Sequence, residues 1–183
     1  PILLHFKRGW KKEDLGIKAG DVKMGIFLLR VSIIWFVGVI VVQSINMNAT
    51  IYFGIWDITG LGVLLVVNGV TLTPISEELF HRGYLQSKIG GMMGIFLSSF
   101  LFATMHIPKI ILASEYLEGP SRIPVLDSFF IFGAKNVGLL IGLRLFVWFL
   151  VIGLLFGAIR HKSNSVYYAI GSHSFANFLL YLI

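Results

Sequence analysis

Glu77, Glu78, Arg82, His106, His173 and Asn177 carry chemistry in surroundings that should carry none, because each lies within or at the edge of a long apolar stretch. An ionisable group held in such a stretch is costly and marks a functional site by default. A carboxylate beside an imidazole can take a proton from water and return it to a leaving group. Imidazole and amide hydrogens can stabilise the oxyanion that such an attack creates. The same Glu, His and His form a familiar zinc-ligand set, and buried Glu and His chains also serve as proton relays in transporters. Against zinc, there is no HExxH and the two histidines fall on different helices. Against a transporter, the chain is small and shows no inverted repeat.

Helical phase sorts these side chains into partners. Glu78 and Arg82 are one turn apart and can pair, as can His173 with Asn177 and Phe102 with His106. Glu77 points about 100° away from Glu78, so the two carboxylates are expected to have different jobs. Glu77 and His106 are read as the acid–base pair, holding one water between them. His173 and Asn177 are read as donors to an oxyanion. Glu78 and Arg82 would form a supporting ion pair, and Phe102 would pack beside His106 and orient it. His81 is expected at the membrane interface, and Arg30 is expected to snorkel to it.

These side chains need elements to position them, and the composition says which. Hydrophobic residues make up 56% of the 183 residues and charged residues 13%, with a mean hydropathy of +0.85. Soluble domains run near ~45–50% apolar and ~25% charged. A chain this short leaves much of its surface in contact with solvent, so the solvent here is expected to be lipid. Disorder is excluded by the same figures. The chain has no cysteine, which removes disulfides, thiolate zinc sites and cysteine nucleophiles. The net charge of +6 does not imply a nucleic-acid partner, because many basic residues sit at the ends of apolar runs, as membrane anchors do.

The predicted fold class is all-α: a multi-spanning transmembrane helix bundle of about five spans plus an interfacial or re-entrant segment. The spans are read at 24–42, at 60–88 with a kink at Pro74, at 90–107, at 145–159 and at 165–183. Residues 43–58 and 108–127 read as loops, and 128–142 as the interfacial or re-entrant segment. Residues 1–23 form a basic membrane-surface segment, and 24–183 a single transmembrane domain with its core at about 60–183. Gly153 and Gly157 match a small-xxx-small packing face. Tight turns are expected at 88–91 and 160–164. Counted from them, Glu77 and Glu78 lie roughly 11–12 residues deep, His106 roughly 15, His173 roughly 10 and Asn177 roughly 14, or about 15–22 Å at 1.5 Å per residue. With both turns on one membrane face, these positions share one layer and one site.

In order along the chain the residues spell Glu77-Glu78-Leu79-Phe80-His81-Arg82, Phe102-Ala103-Thr104-Met105-His106 and His173-Ser174-Phe175-Ala176-Asn177. The pattern EExxxR, FxxxH, HxxxN resembles that of the CPBP family, the CAAX-processing and bacteriocin-processing intramembrane proteases, which includes the type II CAAX prenyl endopeptidases. Gly83, the GLLFG run at 153–157 and the DLGI segment at 14–17 fit the same resemblance. The resemblance implies a glutamate-type intramembrane peptidase that needs no cofactor, with Glu77, His106, His173 and Asn177 catalytic and Glu78, Arg82 and Phe102 supporting. It implies a peptide or lipidated protein substrate, prenylated CAAX-type or bacteriocin-like, with membrane lipid as surroundings and no nucleic acid. The expected location is a prokaryotic cell membrane, crossed several times. Zinc remains the alternative cofactor, and an ion-coupled transporter or chaperone-like membrane protein the alternative class. Basic residues cluster at 1–23 and 160–162, which by the positive-inside rule turns the site outward; the resemblance implies a site open to the cytosol.

Overall fold

The computed structural model describes residues 11–46, 67–108 and 137–182, and among these every regular element is helical. A short 3-10 turn, Lys12–Leu15, precedes α1, Val22–Asn46. The second helix, α2, is built of four consecutive segments: Asn68–Leu72, Thr73–Glu78, Leu79–Leu85 and Gln86–Ile89. Then come α3, Gly91–Met105, α4, Val137–Ser163, and α5, Val166–Leu182.

α1 and α4 contain stretches long and apolar enough to cross a membrane, Val22–Val41 and Leu145–Ser163, and little of either is buried inside the protein. α3 is a shorter apolar helix. Large apolar side chains such as Phe27, Ile34, Leu72, Met92 and Met93 point outward. A hydrophobic outer surface of this extent is at home in hydrocarbon rather than water. The protein is an all-α, helical membrane protein.

Several expected boundaries move. α1 extends to Asn46, beyond the expected end at residue 42. Residues 137–142, expected in a re-entrant segment, belong instead to the single 27-residue helix α4. Residues 160–163 were expected in a turn but continue α4, and the reversal falls at Asn164, whose φ is 54°. Nothing in 160–163 breaks a helix, and Asn is among the few non-glycine residues that tolerate that conformation. Residues 109–127 of the expected loop and the rest of the re-entrant segment lie outside the described residues, as does 47–66, which includes the start of the expected 60–88 span.

Pro74 sits at the start of the Thr73–Glu78 segment, directly after the π-helical turn Asn68–Leu72. Proline supplies no N–H and crowds the preceding turn. A widened turn is one way a helix absorbs that demand, and such turns gather at functional sites. A second π-helical stretch, Leu79–Leu85, carries the Arg82–Gly83 pair.

The apolar centre joins α1, α4 and α5 through Phe36, Phe156, Ile159, Ala169 and Ala176. Trp35 and Trp148 stack at 5.4 Å, and the Ser32 and Ser172 hydroxyls meet at 2.8 Å between α1 and α5. α3 lies along α4, where Gly153 and Gly157 are the small residues that let the helices close; a methyl group built on Gly157 would meet Ile95 at 2.8 Å. The segment before α1 is fastened to the end of the bundle. Val166 donates its N–H to Gly16 O at 2.9 Å and Asp21 to Ser163 O at 2.7 Å. Leu15 is buried, and its carbonyl lies 3.0 Å from where Gly83 would carry a side chain. The DLGI segment and Gly83 thus form one contact.

Two glycines make a paired test of this packing. A methyl group on Gly94 would fall 2.7 Å from the backbone carbonyl of Gln86, which cannot swing away, whereas one on Gly38 would meet nothing within 4 Å. Gly94→Ala should lower the melting temperature in detergent, at an overpacking cost of about 1–3 kcal/mol. Gly38→Ala should leave it unchanged or raise it, since alanine is the better helix former by up to ~1 kcal/mol.

Candidate active site

The geometry of the site starts from what α2 turns inward. Glu77, Glu78, His81 and Arg82 lie on adjoining faces of that helix, with one-turn spacing between Glu77 and His81 and between Glu78 and Arg82. Arg82 Nε stands 3.2 Å from Glu78 Oε2, and neither side chain has any exposure. Arg82 Nη1 donates to Ser98 Oγ at 3.1 Å, and the guanidinium lies 5.2 Å over the Phe102 ring. The expected supporting pair is therefore formed, and α3 supplies contacts to its guanidinium.

Glu78 has a second partner that phase alone did not suggest. Its Oε1 lies 3.0 Å from His173 Nδ1, reaching from α2 to α5. With the carboxylate paired to a guanidinium on its other side, Nδ1 carries the proton and donates. His106 is held in a similar way: Nδ1 is 2.8 Å from Phe102 O, and a carbonyl can only accept. His81 Nδ1 likewise donates to Glu77 O at 2.8 Å. All three imidazoles are anchored through Nδ1, so each presents Nε2 to its surroundings.

Glu77 lies where two of those Nε2 atoms converge. Its Oε2 is 4.0 Å from His106 Nε2 and 3.8 Å from His173 Nε2, and 18% of its side chain is exposed. These separations are too long for direct hydrogen bonds and short enough for a shared water. The carboxylate, with lone pairs only, and two imidazole nitrogens can together orient a water and move its proton.

Aromatic rings fix the imidazole planes. Phe149 stacks on His106 at 4.1 Å and Phe156 on His173 at 4.9 Å, with interplanar angles of 25° and 21°. Phe102 stands among them, 4.6 Å from His106, 5.7 Å from His173 and 5.4 Å from His81. Such ring pairs contribute about 0.5–1.5 kcal/mol each beyond burial. Asn177, one turn past His173, donates Nδ2–H to Gly69 O at 2.8 Å, in the π-helical turn ahead of Pro74.

The structure therefore brings Glu77, Glu78, Arg82, Phe102, His106 and His173 into one cluster, with Asn177 at its edge. His81 departs from expectation: it is not interfacial but 1% exposed, against Phe102. Arg30 is exposed on α1, as expected of a snorkelling charge. The residues that the sequence did not single out are Ser98, Phe149, Phe156 and Gly69. A signal existed for Ser98 and Phe149. Ser98, Phe102 and His106 recur every four residues, and so do Phe149, Gly153 and Gly157, the face of α4 that meets α3.

The structure is that of a helical membrane protein whose bundle encloses a buried cluster of carboxylate, imidazole, guanidinium and amide groups. The chain belongs to the type II CAAX prenyl endopeptidase Rce1-like family, which residues 58–179 match. It is a CAAX-type intramembrane endopeptidase, and the matched span includes the whole cluster. No curated protein and no solved structure matches the chain.

The two carboxylates should separate in stability. Glu78→Gln leaves Arg82 buried without its counter-charge and loosens His173, and breaking one partner of a buried pair typically costs about 3–5 kcal/mol. Glu77→Gln removes a partly exposed charge and should cost little, since an amide is easier to bury than a carboxylate. Thermal unfolding of the two variants in detergent, side by side, should show a marked drop for Glu78→Gln alone.

Proposed function

We propose that Glu77 is the general base of a metal-independent peptide hydrolysis, acting with His106 on one water. The observation that carries this reading is the position of Glu77. It keeps partial exposure beside the fully buried Glu78–Arg82 pair, and its Oε2 faces two Nε2 atoms at 3.8 and 4.0 Å. The water donates one hydrogen to Glu77 and the other to the lone pair of His106 Nε2. Its oxygen attacks the scissile carbonyl as Glu77 takes the proton. The tetrahedral intermediate collapses, the C–N bond breaks, and the amine leaves with the proton that Glu77 returns.

His173 and Asn177 stabilise the oxyanion. For His173 to donate from Nε2 it must carry both protons, and the Glu78 carboxylate on Nδ1 is the counter-charge that form needs. Asn177 commits one amide hydrogen to Gly69 O and has the other for the substrate. The proposed substrate is a prenylated CAAX-type protein, in keeping with the family, with a bacteriocin-like peptide as the competing class. Zinc is the competing chemistry. Its ligands would be the same Glu77, His106 and His173, and the sequence carries no HExxH to favour it.

Kinetics on the purified protein should divide the roles. Glu77→Gln should lower kcat by the ~10²–10⁴-fold typical of a lost general base. His106→Ala should resemble it, and the double variant should be barely worse than either, because both act on one water. Asn177→Ala should cost about 10²-fold, as removal of one oxyanion donor does elsewhere. Full activity in Glu77→Gln would overturn the assignment.

Chelation separates the two chemistries. Activity on a prenylated CAAX peptide should survive exhaustive chelation, with no stoichiometric zinc by elemental analysis. About one bound zinc, with activity lost on its removal and restored on its return, would establish the metal reading instead.

A further inference from the structure

We propose that Arg82, Ser99 and Gln86 hold an ordered buried water between α2, α3 and α4, behind the cluster and separate from the water that Glu77 would activate. Arg82 Nη1 donates to Ser98 Oγ, and Nε stands 3.2 Å from Glu78 Oε2 in the ion pair without hydrogen-bond geometry. The third nitrogen, Nη2, is buried with no hydrogen-bond partner among the described residues. One turn along α2, Gln86 donates Nε2–H to Gly157 O at 3.0 Å, and its Oε1 is likewise buried and unpartnered among the described residues.

Both atoms border the same strip of α4. A methyl group built on Gly153 would lie 3.3 Å from Arg82 Nη2, and one built on Gly157 would lie 3.4 Å from Gln86 Oε1. Ser99 lies beside both points: its Cβ is 3.2 Å from the first and its Oγ 3.5 Å from the second. Ser99 Oγ donates its own hydrogen to Ile95 O at 2.7 Å, so toward this strip it can only accept. The three groups thus offer one donor and two acceptors within about one helical turn. That is the complement of a water molecule, which accepts from Arg82 and donates to Gln86 and Ser99, within the two to four partners a buried water usually has. An anion would face the two acceptor oxygens, and a cation would face the guanidinium. Gly153 and Gly157 take on a second role here, since their missing side chains leave the polar strip uncovered. The water completes the solvation of Arg82 and so keeps Nε on Glu78, making Gln86 a positioning residue for the pair.

The test starts from water itself, so it does not depend on the reading of Glu77. Protein labelled with ¹⁵N-arginine is placed in lipid vesicles, and magnetisation is passed from water protons to side-chain nitrogens by solid-state NMR. Arg82→Lys identifies the Arg82 signals. Transfer to Arg82 is expected in the unaltered chain and should fall several-fold in Gln86→Met, which keeps the side-chain length and removes the acceptor. An experimental structure resolving ordered solvent should show density within hydrogen-bond distance of both Arg82 Nη2 and Gln86 Oε1, and this holds even if Gln86→Met fails to fold. Unchanged transfer in Gln86→Met, or a direct Arg82–Gln86 bond with no density between them, would overturn the proposal.

Discussion

An ion pair with no access to water sets the terms for this fold. Glu78 and Arg82 are both fully buried, and two charges taken out of water repay that cost only when their geometry is good and their remaining hydrogen-bonding capacity is met. The surroundings follow from this requirement. Ser98 from α3 takes one guanidinium nitrogen, the Phe102 face takes the plane, Gly153 gives it room, and His173 takes the free oxygen of Glu78. Three helices are thereby tied to α2 through one pair of side chains.

The three imidazoles show how such a centre stays preorganised. Each is tethered at Nδ1 to an oxygen acceptor, and His106 and His173 are each covered by a stacked phenylalanine. A ring held at one nitrogen and over one face has little rotational freedom left to lose when a substrate arrives, and that loss is a usual cost of assembling a site. Phe102 has a double part, since its ring touches all three imidazoles while its carbonyl anchors one of them.

Much of this was legible from residue types and spacing. Apolar runs with few charges announced helices in lipid. One-turn spacing announced the Glu78–Arg82 pair, and counting residues from the turns placed Glu77, His106 and His173 in one layer, where they are found. What spacing cannot express is contact between helices whose relative rotation is unknown. The Glu78–His173 bond, the two stacked phenylalanines and the bond from Asn177 to Gly69 all belong to that class. Boundaries failed for a different reason: residues 160–163 are as acceptable in a helix as in a turn, and only the packing of Gly16 and Asp21 against the end of α4 selects between them. His81 was misplaced because nothing in its spacing announces the packing of its ring against Phe102 on the neighbouring helix.

The bond between Asn177 and Gly69 bears on how this chain can drift in sequence. The last of the three motifs ends here in Asn177. In this chain the partner is a backbone carbonyl in the widened turn ahead of Pro74, and a carbonyl offers only lone pairs. An amide meets it with a hydrogen, whereas an ionised carboxylate would set oxygen against oxygen in a medium that screens nothing. The choice at position 177 is therefore coupled to the proline three residues before the first glutamate, more than a hundred positions away. Chains with Asp at this position should have turned the Gly69 carbonyl elsewhere, so the last letter of one motif records the backbone path leading into another.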